Sequence, residues 1–189
     1  MREGEYLMAI KRIDKDFEVS IVNNLHGGFY YSSPNGDFII DMENHGDEDY
    51  VRFGDLKSLM SKNRKFLINL NIVINDVVGD EFTLEDVIKS LKLQDSYNEL
   101  MSLGDKKLSE VELIDIEIVQ DFVKSAGADK IAKVLGNKKS KLRYSIAETC
   151  AYLYKEGDLT DYSVMKSVAE ELGHTDVQSF WTDIEQSNR

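Results

Sequence analysis

The sequence has little proline, little cysteine and no long apolar run, and each shortage excludes a class of protein. The 189 residues include one proline and one cysteine, which argues against a proline-rich linker and excludes an internal disulfide or a cysteine-based zinc site. The lone Cys150 also fits a reducing compartment. Apolar runs are only a few residues long, whereas roughly 20 residues are needed to cross a bilayer. We therefore expect no membrane partner.

The chain also lacks the common motifs of catalytic and cofactor chemistry. It contains no G-x-x-x-x-G-K-[ST], no G-x-G-x-x-G after a strand and no G-x-S-x-G. His26, His45 and His174 lie in predicted turns and form no pair with metal-ligand spacing. The 35 Asp and Glu residues are so numerous that no general acid/base pair stands out. We therefore expect a protein that is not an enzyme and that needs no cofactor and no metal.

Net charge is the main global electrostatic feature. The chain carries a formal charge of -12 at pH 7, which repels phosphate backbones and makes a nucleic-acid partner unlikely without a concentrated basic patch. One such patch comprises Lys138, Lys139, Lys141 and Arg143, preceded by Lys130 and Lys133. It either contacts phosphates or balances acidic helices and stabilises the C-terminal end of the preceding helix. We favour the structural interpretation.

A change of hydrophobic period near Gly79 and Asp80 organises the chain. Before it, apolar residues alternate or form short blocks, as in strands; after it, they recur every three or four residues, as in helices. This order predicts an α+β fold, with an N-terminal small β-barrel or curled antiparallel sheet containing one inserted helix, and then a C-terminal helical bundle. We place the β-rich domain, an SH3-like or OB-like barrel, at residues 1–80 and the helical domain at residues 81–189.

The strand signals are clearest at a hairpin. Residues 29–32 and 37–40 flank Ser33-Pro34-Asn35-Gly36, in which proline fixes φ and Asn-Gly supplies positive φ. The other predicted strands are residues 6–13, 17–22, 50–53 and 71–75, and Asp55 is the predicted N-cap of the inserted helix, which runs to about Leu70.

Helix start signals dominate the second half. Thr83 and Asp86 match a capping box, and Ser109 and Glu112 match another that predicts a helix over residues 110–125. In that second segment the apolar residues also alternate in places as in a strand. The remaining predicted helices cover residues 96–103, 142–154, 161–172 and 176–186.

Aromatic residues in the β half are the predicted protein-binding residues. They are Phe29, Tyr30, Tyr31, Tyr50 and Phe53. Alternation places them on both faces of a sheet, and only one face can be core in a small barrel. Some are therefore predicted to be exposed, where Tyr and Phe supply contact area at low entropic cost. The alternative is that they pack under a neighbouring helix.

The acidic segment at residues 41–49 partly resembles a calcium loop. Oxygen donors alternate from Asp41 to Gly46, but Arg52 occupies the twelfth position, where a bidentate glutamate is required. The favoured interpretation is a solvated loop. The remaining alternative is a weak divalent-ion site at Asp47 and Asp49 or, with His45, the centre of a metal-dependent enzyme.

Two stretches carry a family resemblance. The first is Tyr-Val-Arg-Phe-Gly-Asp-Leu-Lys-Ser-Leu at residues 50–59, running into Phe66 and the Ile-Val-Ile of residues 72–74. The second extends from Leu142-Arg143 to Leu172-Gly173-His174. Together they are similar to small uncharacterised proteins of tailed phages that infect Gram-positive bacteria. The resemblance implies a phage context, in which small β-plus-helical proteins often serve in virions or bind host proteins, and it transfers no site residue.

These observations predict a function without catalysis. We expect a phage protein of the host cytoplasm or the virion that contacts other virion or host proteins, as a structural component or an assembly factor, with the β half as the docking platform. The alternative is a regulator of transcription or another nucleic-acid process, acting through the patch at residues 130–143 or by binding the machinery.

Overall fold

The computed structural model describes residues 12–187 and has the predicted α+β architecture. The strands are β1 (Glu18–Asn23), β2 (Phe29–Ser32), β3 (Ile39–Met42), β4 (Glu48–Arg52) and β5 (Ile72–Val77). All pairings are antiparallel: β4-β1-β5 form one sheet, and β2 and β3 form a separate hairpin. Within the described residues both sheets are open, so the strands do not close into a barrel.

The helices begin between β4 and β5 and then fill the second half. They are α1 (Phe53–Asn63), α2 (Lys65–Ile68), α3 (Leu84–Ser90), α4 (Gln94–Ser102), α5 (Ile118–Ser125), α6 (Ala128–Gly136), α7 (Arg143–Glu156), α8 (Tyr162–Glu171) and α9 (Val177–Gln186). The inserted helix is thus two helical pieces that meet at Arg64. In residues 12–187 no helix combines the length and the apolar composition that a membrane crossing requires.

Local signals place several of these elements correctly. The hairpin turn is confirmed, with Gly36 at a φ of +73° and its N–H donating to the Ser33 carbonyl at 2.8 Å. The capping box of α3 is confirmed, because the Thr83 side chain accepts from the N–H of Asp86 and the Asp86 carboxylate accepts from the N–H of Thr83. The predicted helix over residues 161–172 is confirmed as α8, and Asp161 is its N-cap. The predicted strand at residues 6–13 lies almost entirely outside the described residues.

The predicted helix over residues 110–125 is wrong in its first half. A single 3-10 turn at Leu108–Glu110 is followed by irregular chain, and α5 begins only at Ile118. The irregular segment instead lies against β5, where the N–H of Ile114 donates to the Asn75 carbonyl at 2.9 Å. Ile114 is buried while Leu113 is exposed. This tertiary pairing overrides the capping pattern at Ser109.

One hydrophobic cluster joins the sheet to the helices. It extends from Ile13 to Trp181 and includes side chains of β1, β5 and the helices on both sides of residue 80. Strand β1 is buried on both faces, since Val19, Ser20, Ile21 and Val22 are at most 5% exposed. Tyr97 of α4 is fully buried, and its hydroxyl oxygen accepts the N–H of Ile74 in β5 at 2.6 Å.

Replacing Tyr97 by phenylalanine tests this link between α4 and β5. Tyr97→Phe keeps the ring but leaves the buried N–H of Ile74 without its acceptor, so we expect the free energy of unfolding to fall by about 1–3 kcal/mol. Urea denaturation measures the change. The matched control is Tyr162→Phe on α8, whose side chain is 64% exposed; equal stability of the two variants would contradict the proposed role of the hydroxyl.

Candidate functional site

The structure divides the five predicted protein-binding aromatics into two groups. Tyr30 and Tyr50 are 64% and 59% exposed, whereas Phe29, Tyr31 and Phe53 are at most 6% exposed. The inclusion of these three in a surface site is therefore corrected. The cause is the alternation of β2, which turns Phe29 and Tyr31 towards Phe66 of α2, with ring centroids 5.1 and 6.3 Å away. These rings pack under a helix, as the alternative interpretation required.

Tyr50 is one end of a row of polar residues that crosses the three-stranded sheet, and the middle residue of the row, Ser20, is buried. The partner of Tyr50 in β1 is Ser20, and the partner of Ser20 in β5 is Asp76. The Ser20 hydroxyl bonds to the Asn75 side chain at 2.6 Å and also to the Glu48 carboxylate. The charge of Glu48, its hydrogen bond and the more distant Asp76 raise the pKa of the Tyr50 hydroxyl. An exposed, neutral phenol therefore stands among carboxylates.

A groove of about 600 Å³ opens beside this row, with Asp76 in its wall. Three of its apolar lining residues, Phe82, Leu84 and Leu108, are buried and form the floor. Its carboxylates are Asp76, Asp80, Glu85, Glu110 and Glu112. The described part of the groove lining contains no lysine or arginine. We call this feature the acidic groove.

Two of these carboxylates have partners just outside the acidic groove. Lys89 pairs with Glu85 at 2.9 Å, and Lys107 pairs with Glu110 at 3.1 Å. In residues 12–187 the other three, Asp76, Asp80 and Glu112, form no ion pair. The groove is therefore acidic even after its local pairs are considered. No local sequence signal predicted it, because it forms between residues 76–85 and residues 108–112, which are distant from each other in the chain.

The predicted basic patch is split by the fold. Lys138 and Lys139 are exposed, but Arg143 is half-buried and its guanidinium donates to the carbonyls of Leu135 at 2.7 Å and Glu171 at 3.2 Å. It thereby stabilises the C-terminal ends of α6 and α8, where carbonyl groups lack helical partners. The backbone N–H of Lys141 donates to the Glu99 carboxylate at 2.9 Å. Arg143 is therefore removed from the candidate nucleic-acid surface.

In the acidic loop, the carboxylates of Asp47 and Asp49 accept hydrogen bonds from nearby backbone N–H groups. Asp47 accepts from the N–H groups of Glu43 and Asn44 at 2.9 and 2.8 Å, and Asp49 accepts from that of Tyr50 at 2.8 Å. Across residues 12–187, no three His, Cys, Asp or Glu side chains converge to hold a metal ion. The ligand set of the metal-dependent alternative is therefore not assembled here.

Two of the three histidines meet where the loops of the sheet touch α7. His26 stacks between His45 and Tyr152, with ring centroids 4.5 and 4.1 Å apart, and its Nε2 is 3.0 Å from the Thr149 hydroxyl. Burial and, secondarily, the charge of His45 lower the pKa of His26 to about 4. Sequence patterns placed each histidine in a turn but contained no signal for this contact, because the hairpin of β2 and β3 separates the two loops.

Replacing Arg143 separates its structural role from that of the lysines. We expect Arg143→Ala to lower the free energy of unfolding by about 1.5–3 kcal/mol, because two hydrogen bonds from a charged donor are lost. The double variant of Lys138→Ala and Lys139→Ala is the control, and it should change stability by less than about 0.5 kcal/mol. Thermal and urea unfolding of the variants give both values; an Arg143→Ala protein as stable as the control would contradict the capping role.

Comparison with protein-family models, with curated proteins and with solved structures yields no match for this chain. Function is therefore inferred from the geometry of these surfaces together with the sequence patterns.

Proposed function

We propose that the protein is non-enzymatic and acts by binding a basic segment of another protein, with the acidic groove and Tyr50 as the docking surface. The observation that carries the proposal is the groove, which is lined by buried apolar side chains and by five carboxylates, three of which form no ion pair within residues 12–187. Such a cleft fits a segment that alternates apolar side chains with Lys or Arg. The apolar side chains of the segment would be buried in the groove, and its positive charges would pair with the carboxylates.

Tyr50 extends the same surface along the sheet. It is joined to Asp76, a residue of the groove wall, through their shared neighbour Ser20. A cation beside Tyr50 would be attracted both by the neighbouring carboxylates and by the face of the tyrosine ring. A rigid sheet also presents the ring at little entropic cost on binding. The groove and Tyr50 therefore select the same kind of partner, a basic one.

The biological setting belongs to the same proposal. The resemblance to phage proteins supports a virion component or an assembly factor, located in the virion or the host cytoplasm. The net charge of -12 suits this role, because it accelerates association with a basic protein through long-range attraction.

Selection of peptides tests the docking surface without a named partner. We expect random short peptides selected on the intact protein to be enriched in Lys and Arg next to apolar residues. Binding of such a peptide, measured by fluorescence anisotropy, should weaken about tenfold when Asp76→Asn, Asp80→Asn and Glu112→Gln are combined, since exposed ion pairs contribute about 0.2–1 kcal/mol each. Higher salt should reduce the difference.

Matched controls locate the effect. The combination of Glu156→Gln, Asp183→Asn and Glu185→Gln removes three exposed carboxylates from the helical half and should leave peptide binding unchanged. Tyr50→Ser should weaken binding, whereas Tyr144→Ser, at a similar exposure of 57%, should not. Selected peptides without basic enrichment, or equal losses in both triple variants, would disprove the proposal.

A second candidate function, nucleic-acid binding, is favoured by one observation. In residues 12–187, Lys130, Lys133, Lys138 and Lys139 are exposed and form no ion pair. If they bind phosphates, affinity for labelled DNA or RNA should fall steeply with salt, and Lys138→Ala combined with Lys139→Ala should lower it further. Arg143 must be left intact in this test, since its loss destabilises the fold. Absence of salt-dependent binding eliminates this candidate.

A further inference from the structure

A group of buried polar atoms without partners marks the contact between the sheet loops and α7. Of the described side chains, those with buried, unbonded nitrogen or oxygen atoms include His26 at Nδ1, His45 at both ring nitrogens and Glu148 at Oε2. Buried polar atoms are nearly always hydrogen-bonded in native proteins. Among the described residues the fifth such atom is the hydroxyl oxygen of Tyr31, in the hairpin. The concentration of the other four at this contact points to a function that goes beyond packing. We call the six residues His26, His45, Glu117, Glu148, Thr149 and Tyr152 the histidine cluster.

The histidine cluster joins four separate parts of the chain. His26 lies in the loop between β1 and β2, and His45 lies in the loop between β3 and β4. Thr149 and Tyr152 belong to α7, and Glu117 precedes α5. Among the described residues, the ring of His26 is the one group of these loops that stacks on a ring of α7, and His45 stacks on its other face. The cluster is therefore a direct contact between the sheet region and the helices.

The closed contact suits two neutral imidazoles. His26 and His45 stack face to face at 4.5 Å, which is favourable for uncharged rings but brings two like charges together if both are protonated. Burial also disfavours a charged ring. The hydroxyl of Thr149 offers His26 Nε2 a hydrogen bond as donor or acceptor. Protonation at low pH therefore destabilises the stacked arrangement of the rings.

The acidic groups around the stack do not compensate for these charges. Glu117 Oε1 lies 3.6 Å from His45 Nε2, too far for a hydrogen bond, and its side chain is 52% exposed, so that solvent screens the attraction. Glu148 faces His26 from α7, but burial raises the pKa of its carboxyl and only the backbone N–H of His26 opposes this rise. Tyr152, the remaining titratable neighbour, contributes only its ring face.

We propose that the histidine cluster is an acid-sensitive contact: protonation of His26 in the stack separates the loops at residues 25–28 and 43–47 from α7 while the three-stranded sheet remains folded. The sheet is independent of the stack because β1 is held to β4 and β5 by backbone ladders along its length. Opening would expose the faces of His26, His45 and Tyr152, and would thereby alter the connection between the β half and the helices at low pH.

The direction of the pH effect follows from linkage. The pKa of His26 is lowered to about 4 in the closed contact, whereas in the open form the ring takes up a proton near its ordinary value of about 6.5. The open form therefore binds more protons between these values, and the closed form is fully favoured only above about pH 6.5. For a half-buried ring, with solvent screening, we expect the opening equilibrium to rise about tenfold between about pH 7.5 and about pH 5.

Hydrogen exchange of the full chain at about pH 7.5 and about pH 5, corrected for the intrinsic pH dependence of exchange, tests the proposal. Acid should increase exchange about tenfold more in residues 25–28, 43–47 and 144–152 than in β1 and β5. His26→Phe keeps a ring in the stack but cannot be protonated, so it should abolish most of this increase. The control is His174→Phe, because His174 is an exposed histidine that contacts Phe180 and not the cluster.

A second measurement keeps the test valid if His26→Phe does not fold. NMR titration of the imidazole signals in the unaltered protein should show His26 titrating well below pH 6.5, together with shifts at Thr149 of α7. An ordinary titration of His26 with no change at Thr149 would overturn the proposal. Uniform acid-induced exchange across all segments, or an increase that survives in a folded His26→Phe protein, would also overturn it.

Discussion

The turn after β1 carries the contacts that hold the two halves of the molecule together. Asn23 Nδ2 donates to the carbonyls of Gly27 and Asn44 at 2.8 Å each, which fixes this turn against the loop before β4. Asn24 Nδ2 then reaches the Leu70 carbonyl at 2.8 Å and the Ser145 hydroxyl of α7 at 3.3 Å. Both asparagines are almost fully buried. Because a buried amide without partners is costly, these bonds specify one arrangement of sheet and helix.

The same turn explains why polar groups, and not only apolar packing, define the contact with α7. His26 follows Asn24 by two residues and places its ring between His45 and Tyr152. The asparagine side chains do not titrate, whereas the imidazole of His26 takes up a proton at low pH. The junction therefore combines a permanent attachment at Asn24 with a titratable one at His26, and the proposed opening would leave the permanent bonds to preserve the register of the two parts.

The burial of β1 determines which side chains of the neighbouring strands are exposed. Since β1 is covered on both faces, the polar Ser20 has to be bonded inside the sheet, and its partners Glu48 and Asn75 belong to the two neighbouring strands. This arrangement leaves Tyr50 outside, beside the carboxylates that lead to the acidic groove. The proposed docking surface and the proposed acid-sensitive contact thus lie at opposite ends of β1: Ser20 lies near its start, and the asparagine turn is at its end.

Much of the fold could be predicted because local backbone chemistry dictates it. Proline, Asn35 and Gly36 determine the hairpin turn, Thr83 and Asp86 cap α3, and the change of period near Gly79 divides strands from helices. Local signals failed where a distant partner competes. Ser109 resembles a cap, yet the following chain pairs with β5 through Ile114.

The sequence by itself determined the α+β order, the acidic surface and the absence of common catalytic motifs, since these depend on composition and on neighbours a few residues apart. Only the tertiary structure decided which aromatics are exposed, because burial of Tyr31 and exposure of Tyr30 depend on the position of α2 above the hairpin. It also formed the acidic groove, used Arg143 to stabilise two helix ends and brought His26 to His45. Each of these joins residues far apart in the chain, and only packing brings such residues together.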